Sequence, residues 1–183
     1  MRTFIAVDIS SKNSIKKLQQ ELSDIARWRD YEVRPVEEQN LHFTVIFLNE
    51  VDQVTIEKIK NKLSELNFEP IEITYSSIGG FPSPNLANVI WVGVDEEGKR
   101  KLVSLAESVI SKMKDIGFRA DKPFIPHMTI FRIKRGKLRL DHILSTYDKK
   151  TFGDDVIEKL CLKVSTLTRY GPIYSDIFAV RAK

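Results

Sequence analysis

Residues 41–48 read Leu41-His42-Phe43-Thr44-Val45-Ile46-Phe47-Leu48, and residues 126–132 read Pro126-His127-Met128-Thr129-Ile130-Phe131-Arg132. Both are short apolar runs of strand character, each interrupted by one His-x-Thr. Side chains alternate faces along a strand, so His42 and Thr44 project together, as do His127 and Thr129. An unpaired imidazole or hydroxyl is costly inside a core, so two such pairs point to a polar cleft. The chain has three histidines, and two of them stand in this motif; the third, His142, reads as a surface residue.

Outward from the motifs, both halves of the chain repeat one order: strand, helix, strand with His-x-Thr, helix, strand. The first half is predicted as a strand over 3–9, then a helix whose apolar positions are Ile15, Leu18, Leu22, Ile25 and Ala26. Ser10 or Ser11 is the expected cap of that helix. The motif strand 41–48, a helix marked by Ile56, Ile59, Leu63 and Leu66, and a strand over 71–78 follow. The second half is predicted as a strand over 88–94 and a helix carrying Leu102, Leu105, Ala106, Val109, Ile110 and Met113, stopped at Gly117. The motif strand 127–132, a weaker helix over 138–147 and strands near 157–167 and 175–181 complete it. Asp8 precedes His42 by 42 − 8 = 34 positions and Asp95 precedes His127 by 127 − 95 = 32, which supports duplication. Gly79-Gly80-Phe81-Pro82-Ser83-Pro84 is the expected hinge between halves. With no low-complexity linker, the expectation is one domain, 1–183, of two lobes near 1–80 and 85–183 that share an interface and can exchange strands.

Composition sets the background. The 183 residues, 42% hydrophobic and 30% charged, suffice for a real core, and the net charge of +4 is a mild bias towards anions. Cys161, the single cysteine, cannot form an internal disulfide and reads as a buried strand residue. The apolar stretch 4–7 is too short for a signal peptide core, and no run reaches membrane-spanning length. The expectation is a cytoplasmic protein without a membrane partner.

Two imidazoles and two hydroxyls around one anion suit phosphodiester chemistry. An imidazole titrates near neutrality, so one can accept a proton from water while the other donates to a departing oxygen. The hydroxyls can donate to non-bridging oxygens as charge builds there. A metal site is the competing reading, since histidine is a common ligand; no cysteine or carboxylate set at ligand spacing accompanies the pair. No metal is expected.

The motifs, their spacing, the opening Met1-Arg2-Thr3-Phe4-Ile5-Ala6-Val7-Asp8, the loop Gly80-Phe81-Pro82-Ser83-Pro84, the strand Val89-Ile90-Trp91-Val92-Gly93-Val94 and the closing Tyr170-Gly171-Pro172-Ile173-Tyr174 together resemble the LigT-like branch of the two-histidine phosphoesterases. The resemblance spans nearly the whole chain. It implies an α+β, bilobal, duplicated fold with two antiparallel sheets enclosing a central cleft and helices outside. It implies hydrolysis of an RNA terminal 2′,3′-cyclic phosphate to a 2′-phosphate, and reversible 2′-5′ joining of RNA ends, without nucleotide cofactor or metal. By the family pattern His42 is the proton donor, His127 the proton acceptor, and Thr44 and Thr129 contact phosphate.

The family commonly follows its first motif with Leu-Lys-Phe-Leu-Gly; here Val45-Ile46-Phe47-Leu48-Asn49 lacks the lysine and the glycine. Arg132 fits the second motif, yet strict alternation from His127 sends it to the opposite face, so it reaches the cleft only from the strand end or through a bulge. It is read either as a phosphate contact or as a lobe-to-lobe ion pair. Arg132, Lys134, Arg135, Lys137 and Arg139 form a basic run that either binds RNA or is a solvated loop. Phe47, Phe81 and Tyr174 are candidate stacking surfaces for a base, with core packing the alternative. The leading expectation is an RNA 2′,3′-cyclic phosphodiesterase, acting as a monomer on RNA ends such as those of tRNA fragments. The alternatives are a non-catalytic RNA or nucleotide binding module and a phosphodiesterase for a small nucleotide metabolite.

Overall fold

The computed structural model describes residues 1–25, 28, 31–169 and 171–183, apart from the Ile25 side chain. Ala26 and Tyr170, used above, lie outside the described residues. In chain order the elements are β1 (Arg2–Asp8), α1 (Asn13–Ile25), β2 (Glu32–Pro35), β3 (His42–Glu50), α2 (Gln53–Ser64), β4 (Ile71–Phe81), β5 (Val89–Val94), α3 (Glu96–Lys114), β6 (Met128–Arg135), α4 (Asp141–Tyr147), β7 (Thr151–Ile157), β8 (Lys159–Thr168) and β9 (Gly171–Arg181). The strands form a four-stranded sheet, β3-β1-β8-β9, and a five-stranded sheet, β2-β6-β5-β4-β7. Every pairing is antiparallel.

Each half of the chain gives its third strand to the other half's sheet. β1 and β3 pair within the first sheet, and β8 joins them from the second half; β5 and β6 pair within the second sheet, and β4 joins them from the first. The orders β3-β1-β8 and β6-β5-β4 correspond, as a duplicated unit requires. The segment expected as a hinge is instead a hairpin connection: β4 and β5 pair from Tyr75 with Val94 through Phe81 with Val89. Gly79 lies inside this pairing, where an added Cβ would sit 2.0 Å from the Trp91 ring, so only glycine lets that indole cross the strand.

Helix boundaries follow local chemistry. Asp52 caps α2 by accepting from the Thr55 amide (2.7 Å), and Asp95 caps α3 by accepting from the Gly98 amide (3.2 Å). Past α3, Gly117 at φ +95° lets the Phe118 amide reach the Met113 carbonyl (3.0 Å) and its own amide reach Lys114 (3.1 Å), the paired closure that glycine favours. The expected serine cap of α1 is not made by Ser10, whose hydroxyl donates to the Val156 carbonyl (2.6 Å). The structure also adds β2 and β7, which the sequence pattern left unassigned; both are edge strands of the larger sheet.

α1 packs on β6 and β7, α3 on β3 and β4, and α2 on α3 and β9, burying Ile15, Leu18, Leu22, Ile56, Ile59, Leu63, Leu102 and Val109 in one core. At the seam between the sheets, the buried Asp155 carboxylate on β7 accepts from the Tyr75 hydroxyl (2.7 Å), the Val156 amide (2.7 Å) and the Ser11 amide (3.1 Å). The Ser11 bond ties the exit of β1 to the other sheet. Asp155→Ala strands these donors and should destabilise the protein by about 3 kcal/mol or more, since each orphaned buried donor costs about 1–3 kcal/mol. Urea denaturation of the variant measures it, and a loss under about 1 kcal/mol would show that the seam does not need this carboxylate.

Candidate active site

β3 and β6, the two motif strands, belong to different sheets yet pack against each other. His42, Thr44, His127 and Thr129 all line a single cleft of about 750 Å³. Each imidazole is held from behind by backbone two residues upstream. His127 Nδ1 lies 2.8 Å from the Ile125 carbonyl, which can only accept, so Nδ1 carries hydrogen and Nε2 is left to exchange a proton. His42 bonds the Asn40 backbone, and its Nε2 lies 3.0 Å from the Thr44 hydroxyl.

Rings wall each imidazole. Phe81 stands edge-on to His127, with centroids 4.9 Å apart, and Trp91 lies at 6.3 Å. Tyr174 stands edge-on to His42 at 5.3 Å, and Phe4 lies at 5.1 Å. Tyr174 and Phe81, both expected as base-stacking candidates, thus also pack the histidines. Phe47 also lines the cleft and is 65% exposed, so its ring face is open to a base.

Arg132 reaches the cleft through a bulge. Trp91 pairs with Thr129 and the next residue, Ile90, with Phe131, so Ile130 is an extra residue on β6 and alternation restarts after it. β3 carries the same irregularity: Ala6 pairs with Thr44 and Ile5 with Ile46, skipping Val45. The matching downstream positions, Phe47 and Arg132, each five residues after a motif histidine, both line the cleft. Arg132 makes no ion pair among the described residues.

The basic run divides by strand alternation. Lys134 shares the Arg132 face and lines the cleft, whereas Arg135 and Lys137 do not line it. Arg139 pairs with Asp141 at 3.0 Å. Two cations absent from the sequence reading, Arg119 and Lys122, enter the cleft from the loop ahead of His127. Only their closeness in sequence to the second motif could have signalled them.

Beneath His42 lies a charged cluster. The nearly buried Lys163 ammonium sits between Asp8 (2.9 Å) and Asp176 (2.5 Å), with Lys159 also 2.5 Å from Asp176. Burial alone would lower the Lys163 pKa, but the hydrogen bonds it donates to Asp176 and Asp8 raise it, keeping the side chain charged. Burial and then the Lys163 charge push the His42 pKa down to about 4, against the opposing pull of Asp8 and the Asn40 bond. Asp8, Cys161 and Asp176 form the one cluster of three metal-capable groups among the described residues; the two ammonium groups already occupy its carboxylates. Cys161 is buried with its pKa pushed up to about 12, first by burial, as befits an inert thiol.

The family described as LigT like phosphoesterase matches residues 7–91 and then 92–174, each segment holding one His-x-Thr motif. The chain belongs to the LigT-like phosphoesterase family. It is 40% identical over 179 residues to a protein of Archaeoglobus fulgidus named RNA 2′,3′-cyclic phosphodiesterase, covering 97% of this chain and 98% of that one. It is 35% identical over 181 residues to a Methanocaldococcus jannaschii protein of the same name, covering 97% and 98%. The crystal structure of TT0787 from Thermus thermophilus superposes with a TM-score of 0.78 at 24% identity, covering 99% of this chain and 97% of that one.

Against the LigT-like pattern, both departures after the first motif have structural readings. Asn49 stands where the family commonly has glycine, at φ +59°, a left-handed conformation that asparagine tolerates better than most residues. Ile46 stands where the family commonly has lysine and is buried, so this position offers no phosphate contact. The His42 ring should titrate near pH 4 in the free protein, followed by two-dimensional NMR of the imidazole. Inorganic phosphate places negative charge in the cleft and favours the protonated ring, so it should raise that midpoint. A midpoint near the ordinary value of about 6.5 would show that burial and Lys163 do not control the ring.

Proposed function

We propose that this chain hydrolyses the 2′,3′-cyclic phosphate at an RNA end to a 2′-phosphate, with His42 and His127 exchanging the protons. The observation that carries the reading is one cleft lined by a His-x-Thr pair from each sheet. The names and full-length coverage of the archaeal relatives support it.

His127 Nε2 takes a proton from water as the water oxygen bonds to phosphorus. His42 gives a proton to the 3′ oxygen as the bond from phosphorus to that oxygen breaks. The 2′ ester remains. Thr44, Thr129 and Arg132 donate to the non-bridging oxygens, where their bonds strengthen as charge accumulates. His42 is neutral in the empty cleft near pH 7, so binding of the anionic phosphate prepares it as a donor by favouring its protonated form. With a 5′ hydroxyl in place of water the same proton transfers open the cyclic phosphate to a 2′-5′ linkage, and run backwards they cleave that linkage.

Phe47 offers its exposed ring to a terminal base, and Arg119, Lys122 and Lys134 attract the phosphates that precede it. RNA ends with a cyclic phosphate, including those of tRNA fragments, are the proposed partners. Action as a monomer is proposed. No described helix is long and apolar enough to cross a membrane, and a cytoplasmic setting is proposed.

An oligonucleotide ending in a 2′,3′-cyclic phosphate should yield the 2′-phosphate product, and binding without turnover would favour the non-catalytic alternative. His42→Ala and His127→Ala should each lower turnover by roughly 10²–10⁴. On a substrate with sulfur at the leaving 3′ position, which needs little protonation, His42→Ala should recover most activity and His127→Ala should not. Recovery of His127→Ala instead would reverse the two roles.

Longer RNA should bind with a log-log salt slope of roughly −0.7 for each phosphate neutralised. The triple change Arg119→Ala, Lys122→Ala and Lys134→Ala should flatten that slope while largely sparing hydrolysis of 2′,3′-cyclic AMP. An unchanged slope would remove these residues from the RNA path.

A further inference from the structure

Gln19 is a polar residue of α1 buried among apolar neighbours, 9% exposed. Its Nε2 donates to the Ile130 carbonyl (2.8 Å) and to the Val36 carbonyl (3.0 Å). Ile130 is the extra residue of the β6 bulge, and its carbonyl also accepts from the Val36 amide (2.9 Å). The side chain therefore joins the end of β2 to the bulge that turns Arg132 into the cleft.

The repeat supplies an internal control. α3, the corresponding helix of the second half, buries Gly98, Leu102, Leu105, Ala106, Val109 and Met113 and carries no carboxamide. It packs on β3 as α1 packs on β6. The bulge in β3 delivers an apolar ring, Phe47, whereas the bulge in β6 delivers a guanidinium. The carboxamide occurs at the helix facing the bulge that must aim a charge.

We infer that Gln19 is a positioning residue, clamping the β6 bulge at Ile130 so that Arg132 is held towards the phosphate of the substrate. This rests on the phosphate contact of Arg132 proposed above. An unclamped bulge can migrate or smooth out, and a one-residue shift returns Arg132 to the opposite face.

Gln19→Met keeps the length of the side chain and removes both donors; Gln19→Leu is a second variant with different packing. Calorimetric titration with inorganic phosphate should show affinity weakened about tenfold in each, as loss of one charged hydrogen bond implies. KM for 2′,3′-cyclic AMP should rise more than kcat falls, since the lost contact acts on the bound substrate as well as the transition state. In an Arg132→Ala background, Gln19→Met should add no further loss of phosphate affinity, because both changes remove one interaction. Equal losses in the two backgrounds, or a lowered melting temperature with unchanged phosphate affinity, would overturn the positioning role. Failure of both Gln19 variants to fold would overturn it too, marking Gln19 as a stability residue. Unchanged affinity in Arg132→Ala alone would instead remove the phosphate contact, and the inference with it.

Discussion

The pairing of β1 with β8, and of β4 with β5, ties each half of the chain into the other half's sheet. Neither half can form its sheet alone, because the third strand of each unit is lent across. Backbone hydrogen bonding of strands is satisfied only when partners are in place, so the two sheets must form together. That obligation holds β3 and β6 near each other although they share no ladder, and the space between them becomes the cleft. A cleft between separate domains would vary with hinge angle; this one is set by sheet pairing.

Strand alternation then decides what the cleft can display. A regular strand shows one face every second residue, giving His and Thr but not the residue five positions after the histidine. The extra residues Val45 and Ile130 reset the phase, bringing Phe47 and Arg132 to the face of the motifs. Both strands keep adjacent buried residues at the bulge, Val45 with Ile46 and Ile130 with Phe131. The irregularity is thus offset by apolar burial at the bulge and displays aromatic and cationic groups in the cleft.

The motifs, the helices and the duplicated order were legible because each depends on residues close in sequence. The 3.6-residue spacing of Leu102, Leu105, Val109 and Met113 reports burial of one helix face, and α3 follows it. β2 and β7 carried no comparable signal, since edge strands such as Glu32–Pro35 expose most of their side chains. Arg132 shows the limit most clearly. Alternation was the right rule for β6 up to Thr129, and only the register with β5 reveals where it breaks. Arg119 and Lys122 stayed hidden because the loop holding them has no period, and its path is set by where α3 ends.

The proton inventory of the site depends on the exchanged strand as well. Lys163 lies on β8, brought beside β1 by the pairing of Phe4 with Lys163, and Asp176 comes from β9. A lysine so nearly buried stays charged only because Asp8 and Asp176 hold it, and separation from either would leave an uncompensated charge. The cluster is therefore structural in its energetics, and its field falls on the imidazole that Phe4 and Tyr174 wall off from solvent. His42 is kept neutral by burial and by a cation, and an anion entering the cleft opposes both by favouring the protonated ring. The fold thus makes the protonation of His42 conditional on the charge of what the cleft holds, a coupling that no residue in the first motif could establish by itself.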